Sequence, residues 1–396
     1  MNQFNFYANK PSENYHKVDM GLFASIMLLW GLGIFTLFVC TQNYAMRVFD
    51  NDAFYFVKRQ LICSAVGFVL FGGFVLVDMN LTRKMIGLIV ILAFVLCLLT
   101  FIPPLGIEKN GARRWLRMPA GFTFQPSELV KFALVLFLAN YFDKQERLEN
   151  PDDKNVFPCV AVFFVFVLII LGQKDFSTSV FITGIGILMF VVSGAKLMWL
   201  FPFSLLAIPS ILLMIVLEPY RLRRVIGWVQ PDQFASGVNY QSLAAKRAIT
   251  AGGIWGNGIG SGLQRINSIP EVQSDYIFAG WTESMGLVGV LLYFAALVFF
   301  AYRGYRTALQ CKDRFTAYAS FGCVSVIFLQ SVINTMVVCG LLPSTGIQLP
   351  FFSMGGSSII VTLAMCGFIL NASRCEEIVE KNNEIDEISI ESLSYL

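Results

Sequence analysis

The chain has 396 residues, 56% of them hydrophobic and only 14% charged, against a usual charged share of about 25%. That composition, with 38 phenylalanines, is that of a polytopic membrane protein rather than a water-soluble enzyme. The formal net charge of +3 is too weak and dispersed for nucleic-acid binding, and one histidine, His16 in a polar N-terminal stretch, excludes a His-based metal site or a Ser-His-Asp triad.

A spanning helix needs roughly 20 apolar residues to cross about 30 Å of hydrocarbon. Ten segments are predicted to do so: 21–40, 60–78, 86–103, 127–142, 156–172, 178–194, 197–217, 276–302, 315–338 and 354–373. The expected fold is an all-α integral membrane protein, about ten helices in one bundle. It divides into an N-terminal tail 1–20, a membrane domain 21–373 and an acidic tail 374–396. A long outer segment, 218–275, separates the seventh and eighth helices. About twenty polar residues precede the first apolar run, Gly21–Cys40, and no cleavable signal peptide is evident. None of the nine cysteines forms a CxxC pair, and most sit in apolar runs, so they read as small buried hydrophobes.

An even number of spans puts both termini on one side. With the termini inside, fourteen Lys/Arg fall in inner segments and fourteen in outer ones; leaving out 218–275 makes it fourteen against eight. Long segments carry little topological weight, so both termini are expected in the cytoplasm. The outer basic residues are Lys109, Arg113, Arg114, Arg117, Arg221, Arg223 and Arg224 among others. They fit an anionic ligand on that face or, equally, anionic lipid headgroups or simple solubility.

Four stretches carry polar chemistry in this apolar background. In 110–142, Pro126-Ser127-Glu128 marks a helix start with acid in its first turn. Glu128 and Lys131, three apart, share a face. A lone charge deep in a span costs about 2.5–3.5 kcal/mol, so the two read as a pair near a helix mouth, facing a polar cavity or simply the interface. Arg113-Arg114-Trp115 just before it suits an interfacial anchor that can also grip phosphate. Lys174-Asp175 occupies a short turn between two helices, exposed if taken alone. The 218–275 segment holds six glycines between Gly252 and Gly262 but no Gly-Lys-Ser/Thr end, so it is no phosphate loop. Its glycines let irregular backbone pack closely beside the bundle. Finally, Pro343, Pro350 and Gly355-Gly356 break 340–358 into a re-entrant or outer loop.

The segments "NGARRWL", "FQPSELVKFA", "IPEVQSDYIFA" and "LLPSTGIQLPFFSMGGSS", in that order, resemble the SEDS family (shape, elongation, division and sporulation) of FtsW/RodA-type membrane proteins. The resemblance covers nearly the whole chain apart from its tails. "QSLAAKRAITAGGIWGNGIGSGLQR" is similar to the division-type FtsW branch, while "STGIQLPFFS" would also suit the elongation branch. The chain departs from the family's usual His-Thr-Asp-Phe, reading Gln273-Ser274-Asp275-Tyr276. It has Lys174 where Pro is usual and Ser284 where a second acid is common.

The resemblance implies a peptidoglycan glycosyltransferase. Such an enzyme polymerises lipid II by one inverting displacement, with undecaprenyl pyrophosphate leaving. It implies Asp275 as the base that deprotonates the acceptor hydroxyl, Arg114 and Lys131 as the cations that receive the pyrophosphate, Glu128 as the group that orients Lys131, and Asp175 as a holder of a cation or a sugar. Glu283 is a supporting acid only. No cofactor is required; a divalent cation, Mg or Mn, could assist, but no ligand cluster demands one. The implied partners are lipid II, the growing glycan strand, a class B penicillin-binding protein, divisome proteins and membrane lipid, at the division septum of a bacterial cytoplasmic membrane. The rival readings are a lipid II flippase, an elongation-type (RodA) polymerase, and a scaffold in which Asp275 is dispensable.

Overall fold

The computed structural model of the chain describes residues 18–109, 111–148, 156–195, 219–230, 239–258, 269 and 272–374. The predicted seventh span, 197–217, lies outside the described residues, as do His16 and the acidic tail from Glu376. The other nine predicted spans are all present as helices. Six come first: α1 (Met20–Val48), α2 (Tyr55–Leu76), α3 (Met79–Leu99), α4 (Pro126–Glu146), α5 (Phe157–Gly172) and α6 (Phe176–Val192). Two short helices follow, α7 (Pro219–Val229) and α8 (Tyr240–Gly252). Then come α9 (Ile277–Gln310), α10 (Arg314–Val338) and α11 (Gly356–Ala372).

Several helices outrun their apolar stretches. α1 continues to Val48, α3 begins at Met79 and α9 reaches Gln310. Polar residues at these ends are capped or paired rather than released into loops. The Asp19 carboxylate accepts the Leu22 N–H at 2.9 Å and ion-pairs Arg303 at 2.6 Å, and Asp313 caps α10 through Thr316 N–H at 3.1 Å. Each cap satisfies a donor that a helix start leaves open.

Burial divides the helices into two kinds. α4, α10 and α11 are buried around most of their circumference. α2 and α3 instead turn Val69, Leu76, Leu88 and Ile91 outward, as helices that face lipid do. Among the described residues five helices are long and apolar enough to cross a membrane, and three shorter ones are strongly apolar. α4 is long enough, but it carries Glu128 and Lys131 near one end and Asp143 near the other. It is tolerated because other helices enclose it. α11 lies along α2 so closely that a Cβ at Gly367 would stand 2.4 Å from the Phe71 carbonyl oxygen.

One part of the described chain forms strands. The basic segment between α3 and α4 forms a three-stranded antiparallel sheet of β1 (Gly106–Lys109), β2 (Ala112–Arg117) and β3 (Thr123–Phe124), in that order. Ala112 and Leu116 on β2 turn inward, while Arg113 pairs with Glu108 at 3.0 Å on the exposed side. Arg59 of α2 clamps the sheet by stacking 4.6 Å over Phe122 and bonding the Gly121 carbonyl.

The glycine-rich segment packs as its composition suggests. α9 breaks at Gly286, where φ is 63° and ψ −161°. Into the break fits 253–258: Asn257 N–H reaches Glu283 O at 2.9 Å and Gly258 N–H reaches Ser284 O at 3.1 Å. In return Leu287 N–H reaches Gly253 O at 3.0 Å. Backbone groups freed by the break are thereby satisfied inside the bundle. A Cβ at Gly286 would lie 2.3 Å from Gly256 N, so this contact excludes a side chain.

Candidate active site

The polar groups that the sequence singles out converge at one end of the bundle. Glu128 and Lys131 lie in the first turns of α4, start-signalled by Pro126 as expected. Lys131 Nζ meets Glu128 Oε2 at 2.8 Å, and both residues are almost completely buried, at 4% and 6% exposure. A second acceptor, Gln330 Oε1 of α10, lies 2.6 Å from Nζ, and the Phe181 ring lies 5.6 Å away. Two of the three ammonium donors are thus engaged, leaving one for a ligand.

Asp175 is buried, not part of an exposed turn as its sequence position alone suggests. It is the N-cap of α6, accepting the Thr178 N–H at 3.5 Å. Its other partners are Gln125 Nε2 at 3.0 Å and Arg114 Nη1 at 3.4 Å. Arg114 reaches it from β2 while stacking 5.4 Å from Trp115. Asp175 therefore anchors Arg114 from β2 and holds Gln125, which lines the cleft, with its own carboxylate already occupied.

Asp275 stands just before α9. The N-cap of that helix is Tyr276, and Asp275 lies one residue before it. It is half-buried, and a Cβ at Gly346 would lie 3.3 Å from its Oδ2. Gly346, Ile347 and Gln348 of the broken loop in turn line a cleft with Gln125, Glu128, Lys131, Thr178 and Phe181. The acid thus borders the loop that helps line the cleft of the buried cation. Glu283 is fully buried within α9 and is not part of this lining.

The 340–354 loop is held by side chains that carry no charge and no motif. Asn334 Nδ2 donates to the carbonyls of Asp275 at 2.9 Å and Ile347 at 2.7 Å. Gln330 Nε2 donates to Gln348 O at 2.9 Å, and Gln60 Nε2 to Ser353 O at 3.2 Å. Ser353 Oγ bonds the Ser274 carbonyl, and Met354 N–H reaches Gln273 O at 2.7 Å. Reading the sequence misses these groups. Their one signal is an amide placed at i and i+4 inside an otherwise apolar span.

Among the described residues no three His, Cys, Asp or Glu side chains converge as a metal cage would. The residues at the cleft fit a divalent ion only as one held by one or two carboxylates together with substrate phosphates.

The arrangement is that of an integral membrane protein with a half-buried acid against the loop that lines the cleft of a buried cation. Residues 20–378 match the family described as "Cell cycle protein" and labelled FTSW_RODA_SPOVE. The chain is 32% identical over 355 residues to "Probable peptidoglycan glycosyltransferase FtsW" of Geobacter sp. (strain M18), covering 90% of this chain and 96% of that one. It is 33% identical over 359 residues to "Stage V sporulation protein E" of Bacillus subtilis (strain 168), covering 90% and 97%. Its fold matches a chain from the structure titled "Structural coordination of polymerization and crosslinking by a peptidoglycan synthase complex", with TM-score 0.70, 25% identity, and 90% and 98% coverage. The crystal structure of the rod shape determining protein RodA of Thermus thermophilus matches with TM-score 0.66 over 91% and 98% of the two chains; at 22% identity that likeness concerns the fold. The chain belongs to the FtsW/RodA/SpoVE family of multi-pass membrane proteins.

Proposed function

We propose that this protein is a peptidoglycan glycosyltransferase that polymerises lipid II into glycan strands, with Asp275 as its base. The observation that carries the reading is the placement of a half-buried carboxylate against Gly346, whose loop lines the cleft of the Lys131–Glu128 pair. The family membership and the names of the relatives support it.

In this reaction the acceptor sugar hydroxyl attacks the anomeric carbon of the donor while its proton passes to the Asp275 carboxylate. The bond from that carbon to the pyrophosphate oxygen breaks, and the electron pair leaves with undecaprenyl pyrophosphate. One displacement inverts an α-linked donor into a β-linked product, so a single base suffices. Lys131 provides a point charge and Arg114 a fork of donors for the departing phosphates. Glu128 fixes the direction of Lys131, and Asp175 fixes Arg114.

The working site lies at the outer face of the cytoplasmic membrane, with both termini in the cytoplasm. A class B penicillin-binding protein is the partner that crosslinks the strands. The similarity to FtsW chains supports a role at the division septum with the other divisome proteins.

The test uses purified full-length protein and lipid II with no ion gradient. Glycan polymer from the wild type, none from Asp275→Asn, and more on adding the transpeptidase are expected. Lipid II movement without polymer would overturn the reading in favour of a flippase. Full turnover by Asp275→Asn would remove the base.

A further inference from the structure

We propose that Gln330 and Asn334 of α10 are positioning residues that fix the separation between the Lys131 cation and the Asp275 carboxylate. The proposal rests on the reading of Asp275 as the base.

The two residues are four apart, so they share one face of α10 and stand about 6 Å apart along its axis. Both are buried, at 2% and 1% exposure. Buried amides in an apolar span are costly unless their hydrogen bonds are made. Here the bonds run in one continuous series. Lys131 Nζ donates to Gln330 Oε1 at 2.6 Å, and Gln330 Nε2 donates to Gln348 O at 2.9 Å. The adjacent residue, Ile347, accepts from Asn334 Nδ2 at 2.7 Å, and the same Nδ2 reaches Asp275 O at 2.9 Å. One face of α10 is therefore bonded to the Lys131 ammonium at one point and to the backbone of Asp275 one turn further on, with the loop that lines the cleft held between them.

The three carbonyls served, those of Asp275, Ile347 and Gln348, lie in segments outside any helix or strand. Inside a bundle such groups need donors, and α10 supplies them from side chains. Asn334 Oδ1 is buried with no hydrogen-bond partner. The amide is thus oriented for its two donor bonds and leaves its acceptor unmet. That orientation suits a group whose task is to hold two carbonyls in place.

A displacement of about 1 Å at a reacting group can cost about 10²-fold in rate. Asn334→Leu removes both donors at similar volume. Lipid II polymerisation by the purified full chain should show kcat, counted per lipid II-binding molecule, reduced about 10²-fold, with KM within about threefold. Unchanged kcat, or a loss confined to KM, would overturn the proposal. Gln330→Glu is nearly isosteric: it keeps an acceptor for Lys131 and loses the donor to Gln348. It should cost about tenfold in kcat with unchanged KM, and a further change to Leu should cost more. Where Asn334→Leu fails to fold, wild-type kcat in Gln330→Glu overturns the proposal by itself. Asp275→Asn is run beside them. If that variant turns over normally, the base assignment fails; if it is inactive while Asn334→Leu is folded and fast, only the present proposal fails.

Discussion

The two ends of the bundle both bury charge, yet in opposite ways. On α4 alone, Glu128 and Asp143 lie about 22 Å apart at 1.5 Å per residue. Around Asp143, which has no exposure, Arg83 sits at 3.0 Å and Arg147 at 2.8 Å. Arg83 also holds Asp313 at 2.9 Å and stacks 4.7 Å from Phe315, and Arg314 pairs with Glu146, which also accepts from Tyr318 Oη at 2.9 Å. Each acid there is matched by cations from neighbouring helices, which ties α3, α4 and α10 together. At the other end Glu128 and Lys131 line a cleft instead, and Lys131 keeps one donor beyond those given to Glu128 and Gln330. Buried charge alone therefore does not mark a site. What distinguishes the site is a buried ion pair that borders a space, with a carboxylate against the loop that lines it.

The comparison breaks most easily at Asp275. Asp275→Asn should lower the polymerisation rate by about 10²–10⁴-fold, the usual contribution of a positioned base, with insertion and partner binding retained. A radiolabelled or fluorescent lipid II assay measures it. Next, Lys131→Ala should slow turnover by about 10²–10³-fold, as for loss of one donor to a developing anion. A normal rate in a folded variant would make Lys131 structural and erase the contrast between the two ends. At the other end the effect should fall on stability. Arg83→Met leaves Asp143 with one cation fewer and should destabilise by about 3 kcal/mol, with activity per folded molecule within about twofold. Thermal unfolding in detergent, read beside the polymerisation rate, separates the two.

The smallest effect concerns Asp19. Partial burial alone would raise its carboxyl, but the Arg303 guanidinium and the Leu22 and Gly21 N–H groups outweigh it and hold the carboxyl below its ordinary value of 3.8. A folded value below the unfolded one contributes stability above the ordinary value, and that contribution is lost as pH falls through the folded one. The difference in unfolding midpoint between wild type and Asp19→Asn should therefore be constant at neutral pH and shrink below about pH 4.

The spans were legible because an unbroken apolar run of that length has few alternatives in a folded chain. Their ends were not: Arg83 and Arg303 read as loop residues, yet carboxylates on other helices receive them, so the helices continue. Glu128 and Lys131 were legible as a pair, since three residues on a helix bring them together. Arg114 and Asp175 were each legible as candidates, but their contact joins a strand to a helix cap far along the chain, and no local rule brings them together. The small sheet at 106–124 was hidden because its strands are too short for alternation to stand out. Gln330 and Asn334 were hidden for a different reason. An amide inside an apolar helix has neither charge nor spacing to announce it, and its meaning comes only from the carbonyls it meets.

The interruption of α9 at Gly286 bears on how force travels through the molecule. A continuous rod would transmit any tilt of its far half directly to the turn before its start. Here the rod is hinged, and the short piece next to Asp275 is stitched to 253–258 along one edge and, through Gln273, Ser274 and Asp275, to α10 and the 340–354 loop along the other. Asp275 is thus tied to its neighbours as well as to the helix that follows it, and a neighbour gripping the distal half of α9 could lean on the bundle without dragging Asp275 out of register.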